Sequence, residues 1–479
     1  MYDRIPILEA LTSHVTANPL PLHVPGHKMG RGFAVQLAVW MGQALRLDLT
    51  ELPGLDDLHQ PEGPIAEAQQ LAAEAFGSDM TYFLVGGSTV GNLAMILTVC
   101  AAGDTVILPR NAHKSVHNAV MLAGARPVYL YPQVDEQFGI PTVVPVKEVE
   151  RALQEHPAAR AVLITNPTYQ GVCSDVAAIA DVVHRHGKLL LVDEAHGAHF
   201  SFHTKLPPAA IQSGADLAVQ STHKMLGSLT GTAMLHGKGN RYDRERLKMM
   251  LQAVQTSSPS YLMLLSLDAA RHQMQMQGTE LLQRAIDDLA EGRAEITKLK
   301  EIKMYGGDQV FAIDPFKWWI QVESLGLSGW EADRILREHR GIYCEMGDDR
   351  HLLAVFSYAD TGKQIGRFLQ GLRYLTENHK SNALLENKMD STVYGGFRLE
   401  QALLPRELSG RERSTVKLEN AAGWIAAEAV IPYPPGIPLI LPGERYSTEL
   451  IEHLTLLRRS GARFQGAEDP ALQFVRVVV

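Results

Sequence analysis

The chain reads as an α/β protein built on a mostly parallel seven-stranded sheet with helices on both faces, followed by smaller α/β segments. Three observations predict this. Seven short apolar runs recur: TYFLV (81–85), TVIL (105–108), PVYLY (127–131), AVLIT (161–165), LLLV (189–192), LAV (217–219) and TAML (232–235). Helix-length segments separate most of them, the alternation expected of a sheet covered on both sides. After about Ser257 the pattern changes to a long helix and then to a second, smaller α/β region.

Taken in order, residues 1–60 form an N-terminal arm. A short helix is expected at 5–14, but PLHVPGHKMGRG (21–32) is too rich in Pro and Gly for regular helix. The large domain spans 61–300. Its first helix runs from Ile65 to Phe76, with Gly77 as the stop signal, and its last begins at SYLMLLSLDAARHQMQMQG (260–278) and continues to about Lys300. A small α/β domain covers 301–380. Strands are expected at FKWWIQVE (316–323) and HLLAVFSY (351–358), and helices at Gly329–Arg340 and Gly362–Thr376. NHKSNALLENKMD (378–390) reads as a polar connector. The C-terminal domain, 381–479, holds a helix-like run at Ala421–Val430 and the proline-rich YPPGIPLILPGE (433–444).

The 479 residues carry a net charge of -8, which argues against a nucleic-acid footprint. Cys100, Cys173 and Cys344 are the three cysteines and form no close pair, so a reducing, cytoplasmic compartment is expected. No stretch has the length of a membrane span, and no signal peptide is expected at the N-terminus.

Chemistry is expected beyond the carboxyl ends of the strands, where sheets of this kind bind ligands. The first strand runs into Gly87-Ser88-Thr89 and then a helix. A glycine turn at a helix N-terminus is suited to a phosphate, with two hydroxyls as further donors, although the pattern is neither a Walker A loop nor a full dinucleotide fingerprint. His113 follows the second strand, where an imidazole can stack on a flat ring or simply cap the next helix. Asp193 ends the run LLLVD, and a buried carboxylate there requires a partner such as a protonated ring nitrogen. Ala195 is small enough to let a ring lie against the backbone. His196 and His199 are not accompanied by a set of residues at metal-ligand spacing, and no metal is expected. Lys224 follows LAV through Ser221-Thr222-His223. A buried lysine amine loses hydration and becomes a nucleophile for carbonyls, the requirement for a Schiff-base lysine. Phosphate cradle, stacking His, ring-nitrogen carboxylate and aldehyde-binding lysine follow one another along the strands, and this order suits pyridoxal 5'-phosphate (PLP).

The motifs HVPGHK (23–28), LDDLHQPEGPI (55–65), PRNAHKS (109–115), NPTYQG (166–171), VDEAHGAH (192–199) and STHK (221–224) carry a resemblance. The chain resembles the bacterial Orn/Lys/Arg decarboxylases, members of the aspartate-aminotransferase-like (fold type I) PLP enzymes, from about residue 5 to the mid-400s. It is similar to the short form, which lacks an N-terminal wing domain. The resemblance implies Lys224 as the Schiff-base lysine, with His113 and Ala195 on the two faces of the ring and Asp193 on its nitrogen. It also implies Ser88, Thr89, Ser221 and His223 near the phosphate, and Lys224 or His223 as the donor of a proton to Cα. The longer inducible enzymes read Asp-Ser-Ala-Trp where this chain reads Asp193-Glu194-Ala195-His196, so the role of His196 does not transfer from them, and the ring hydroxyl or a substrate group stays open as its contact.

The implied activity is decarboxylation of a basic amino acid, with arginine as first choice, for polyamine synthesis; lysine and ornithine stay open. Carboxylates expected to read a basic side chain are Asp56, Asp57, Glu62, Glu345 and Glu444. An aminotransferase or lyase on the same fold is the first alternative, with Arg350 or Arg398 as a carboxylate clamp. A non-catalytic binder of PLP or a polyamine is the second. Fold type I implies a homodimer, to which the arm and SSPSYL (257–262) would contribute.

Overall fold

The computed structural model describes residues 3–307, 310–379, 397–433, 436–459 and 461–479. The expected polar connector lies for the most part outside the described residues. The chain divides into two compact units: Met1–Val99 with Leu189–Gln283, and Cys100–Lys188 with Arg284–Val479.

All seven expected strands form: β1 (Met80–Leu84), β2 (Thr105–Pro109), β3 (Arg126–Leu130), β4 (Ala159–Thr165), β5 (Leu189–Asp193), β6 (Leu217–Gln220) and β7 (Ala233–Gly237). The first unit holds four of them in the order β1-β7-β6-β5, with β5 and β6 parallel and β7 antiparallel to both its neighbours. The second unit holds three parallel strands in the order β4-β2-β3. The inner strands are short apolar runs because both of their faces are covered, whereas β3, at the end of the strand order, buries only Leu130 fully. Residues 217–220 and 233–237, for example, are buried without alternation.

Helix α1 (Pro6–Thr16) lies in the arm, and α2 (Pro64–Phe76) ends at Gly77, which takes the left-handed conformation (φ +76°) and returns its N–H to the Ala73 carbonyl. Helix α3 (Gly87–Val99) follows β1 and packs on it closely. A Cβ at Gly91 would lie 2.3 Å from Val219 Cγ2, so only glycine lets α3 approach β6 here. Helix α4 (Lys114–Ala123) follows β2, the one-turn α5 (Thr222–Met225) follows β6, and α6 (Tyr261–Ile296) is a single helix of 36 residues.

The second unit also contains a four-stranded sheet. Its strands are β8 (Lys303–Met304), β9 (Lys317–Gln321), β10 (Met346–Gly347) and β11 (His351–Val355), in the order β8-β9-β11-β10. Trp318 and Trp319 are both buried on β9 because helices cover one face and other residues of the unit the other. The expected helices form at Gly329–Arg340 and Gly362–Asn378, and both begin with a capping box. A further core gathers Leu418, Ala426, Ile440, Tyr446, Leu450 and Leu454.

One expectation fails. Ala421–Val430 is not a helix. Gly423 sits at φ +81°, Trp424 turns back to Ala421, and Ile425–Ala426 pairs as a short strand with Phe474–Val478. The alanines favour helix locally, but a sheet edge in the C-terminal core claims their backbone.

Candidate active site

In the first unit, two adjacent strands deliver the chemistry from their carboxyl ends. β5 ends at Asp193, and the chain leaving it carries Ala195 and His196. β6 leads through Ser221 into α5, which carries His223 and Lys224. The two exits are tied together where Ser221 N–H donates to the Ala195 carbonyl at 3.3 Å. Lys224 Nζ then lies 3.0 Å from His196 Nε2. His196 therefore meets the lysine itself.

Lys224 is exposed, contrary to the buried amine expected from the apolar strand before it. The turn of α5 explains this: Thr222 and Met225 face inward, which leaves Lys224 on the outer side of a single helical turn.

Asp193 is buried, and its carboxylate accepts from Asn92 Nδ2 at 2.9 Å and from the Ala195 N–H at 3.2 Å. Asn92 escaped the sequence reading as a site residue. The available signal was its position four residues after Ser88, on the same face of α3, as a fully buried polar side chain in an apolar run. Gly87 opens α3 at φ +71° and donates its N–H to the Gly231 carbonyl at 2.6 Å. Ser88 and Thr89 stand in the first turn of α3, whose N–H groups have no partner within the helix.

The His223 ring donates Nδ1–H to the Thr232 carbonyl at 2.6 Å. Burial pushes its pKa down, and the charge of Lys224 pushes the same way. His223 is thus a neutral imidazole with Nε2 left as an acceptor. The hydroxyls of Ser221 and Thr222 are buried and have no hydrogen-bond partner among the described residues. Two orphaned donors beside a short helix start fit an anionic group such as a phosphate, and a buried carboxylate with one oxygen on an amide fits a protonated ring nitrogen. The donor set therefore fits PLP.

In the second unit, His113 is the N-cap of α4. Its Nδ1 accepts from the Ser115 N–H at 3.2 Å and lies 2.9 Å from Ser115 Oγ, so the ring orientation is fixed from that side.

The carboxylates expected to read substrate are scattered. Asp56 accepts N–H bonds from Asp57, Glu62, Gly63, Ile65 and Ala66 at 2.8–3.2 Å. Burial works to raise its pKa, but these donors outweigh it and hold the carboxyl below its usual range. It is the anchor of the turn before α2. Asp57 is exposed and accepts from the His59 N–H, and Glu62 is exposed as well. Glu345 is exposed and accepts from the Tyr169 phenol. Glu444 is 1% exposed and paired with Arg110 at 2.9 Å, which is not the place of a charge at a pocket mouth. Of the two arginines weighed as clamps, Arg350 pairs with Asp349 at 3.4 Å and Arg398 lies 5.0 Å over the Tyr131 ring.

Comparison with known proteins agrees with this frame. The chain superposes on the constitutive lysine decarboxylase of Escherichia coli with a TM-score of 0.85, at 21% identity, over 100% of this chain and 82% of that one. The fold is that of the fold type I enzymes. The family model of the Orn/Lys/Arg decarboxylase major domain matches residues 5–306, and that of the C-terminal domain matches 398–471. The chain is 36% identical to an arginine decarboxylase of Bacillus anthracis over 99% of its own length and 97% of the relative's. It is likewise 36% identical to an arginine decarboxylase of Bacillus subtilis, over 99% and 97%. The chain belongs to the Orn/Lys/Arg decarboxylase family, whose members are PLP-dependent decarboxylases of basic amino acids. Among the described residues, no helix is long and apolar enough to cross a membrane.

Proposed function

We propose that this chain decarboxylates arginine to agmatine with PLP as cofactor, in the cytoplasm, as a homodimer, and that the product serves polyamine synthesis. The observation that carries the reading is the junction of two strand ends, where Lys224 meets His196 and Asp193 is held by Asn92. The choice of arginine rests on the relatives named above.

PLP, when bound, supplies an electron sink for the pair released by CO2 loss. The chain's own residues do the rest. Lys224 is the covalent anchor for the aldehyde. Asp193, oriented by Asn92, keeps the ring nitrogen protonated. Ser88, Thr89 and Ser221 take the phosphate on the turn that Gly87 shapes, Ala195 and His113 flank the ring, and His223, with its Nδ1–H committed to the Thr232 carbonyl, has no N–H left for the phosphate while neutral. A neutral His223 is a poor source of a proton. The return of a proton to Cα therefore falls to Lys224, with His196 at 3.0 Å to exchange protons with it. The domain boundaries at 60, 300 and 380 stand as part of this reading.

The test is a decarboxylation screen of arginine, lysine and ornithine with purified protein and PLP, measuring CO2 and the amine product. Agmatine as the main product is the expected result. Cadaverine or putrescine as the main product would replace arginine, and a keto acid without CO2 would replace decarboxylation.

A further inference from the structure

The proline-rich stretch near the C-terminus has no place in the reading above, and Glu444, its last residue, is buried. Both facts have one explanation in the second unit. Residues 436–444 lie against the turn that carries His113. Gly436, at φ +89° where a side chain is strained, neighbours the imidazole: a Cβ there would be in ordinary van der Waals contact, 3.4 Å from both Cδ2 and Nε2 of His113. The Gly436 carbonyl accepts the Lys114 N–H at 3.2 Å. Three residues before His113, Arg110 is 1% exposed and reaches into the same loop. Its guanidinium donates to the Pro438 carbonyl at 2.8 Å, the Leu439 carbonyl at 3.1 Å and the Glu444 carboxylate at 2.9 Å. The same Glu444 oxygen accepts the Leu441 N–H at 2.8 Å. Tyr129 lies beneath the guanidinium at 5.4 Å, and the Arg110 N–H is held by the Leu130 carbonyl of β3.

A buried guanidinium–carboxylate pair gains little net stability, because desolvation offsets most of the attraction. What it does supply is geometry: a planar fork with several fixed partners sets the loop in one place. The loop then sets the imidazole. Ser115 fixes His113 at Nδ1, and Gly436, bonded through its carbonyl to the Lys114 N–H, lies on the Cδ2–Nε2 side of the ring.

We infer that Arg110, Glu444 and Gly436 are positioning residues that hold His113 in the orientation required for stacking on the cofactor. This rests on the cofactor-stacking role given to His113 above, and it assigns Glu444 to the clamp.

The test is a double-mutant cycle on the full-length protein, reading the PLP dissociation constant by titration. The proteins are the parent, Gly436→Ala, His113→Ala and the double variant, with apo-protein melting temperatures recorded for each. Gly436→Ala is expected to weaken PLP about tenfold in the parent and to have no further effect once His113 is absent. Glu444→Gln, which keeps the side chain's size while removing the charge that anchors Arg110 in the loop, is expected to follow the same pattern with a smaller loss. It replaces Gly436→Ala in the cycle if that variant does not fold. Equal weakening in both backgrounds would overturn the inference, because the loop would then act on something other than His113. So would unchanged affinity in Gly436→Ala and Glu444→Gln while His113→Ala loses it. Unchanged affinity in His113→Ala would remove the stacking role itself, and the positioning role with it.

Discussion

Asp193 and Glu194 are consecutive carboxyl groups at the end of one strand, both buried, and they live in different chemical worlds. Asp193 turns toward α3, where Asn92 and the Ala195 N–H hold it at the edge of the candidate site. Glu194 turns away. It accepts the Ala210 N–H at 2.7 Å and the Gln220 amide at 2.8 Å. Gln220 Oε1 is 3.1 Å from His236 Nε2, and His236 Nδ1 is 2.8 Å from Thr81 Oγ1. Burial pushes the Glu194 carboxyl up to about 8, against the pull of those two donors, and pushes His236 down to about 3. One side of the strand end is organised for a ligand, and the other is a chain of neutral groups inside the sheet. Burial alone does not mark a catalytic acid; the partner decides.

The Asp193 side is where function should break. Lys224→Ala is expected to lower decarboxylation by at least about 10³-fold, the scale of a lost proton-transfer group, and to abolish the absorbance of the lysine-linked cofactor. Because Lys224 is exposed, its melting temperature should stay near that of the parent. Retained turnover with retained absorbance would refute the role of Lys224. Asp193→Asn comes next. Losing the negative charge should cost about 10²-fold in kcat and weaken PLP, as seen by steady-state kinetics and titration. Near-normal kcat would refute its electron-sink role and merge the two sides of the comparison.

How much of this was legible beforehand differs between the same two regions. Most of the seven strands were readable because they are buried on both faces and so are runs of apolar residues; β3, only half-buried, was readable from Val128-Tyr129-Leu130. The places of Asp193, His113 and Lys224 at or just beyond strand ends were readable because those ends are fixed by the apolar runs. The exposure of Lys224 was not, since the facing of one helical turn depends on what Thr222 and Met225 pack against. Asn92 and the Gln220–His236–Thr81 chain were also missed. Their residues lie on separate elements, and only the register of β1 on β7, with Thr81 opposite His236, brings them together. Asp56 and Glu444 looked like substrate readers because a sequence does not show that a carboxylate is already filled by backbone donors or by a distant arginine.

The Glu194 side is where stability, not function, should respond. The sign follows from the direction of the shift. A carboxyl raised in the folded state binds its proton more tightly there than in the unfolded chain. Its contribution is complete below the ordinary carboxyl range and is lost as pH rises toward about 8, with no further change above it. The parent should therefore lose stability between pH 6 and 9 relative to Glu194→Gln, by up to about 1.4 kcal/mol per pH unit below the pKa. Urea unfolding of both proteins at the two pH values measures this, and parallel pH dependence would show that Glu194 does not titrate in that window. Thr81→Val tests the far end of the chain. Thr81 hydroxyl donates to His236 Nδ1, because Nε2–H is committed to Gln220 Oε1 while the Gln220 amide faces Glu194. Removing the hydroxyl leaves one buried acceptor unpaired, at a cost of about 1 kcal/mol, with kcat and PLP affinity unchanged. A drop in kcat without a drop in stability would instead tie this side of the strand to the chemistry on the other.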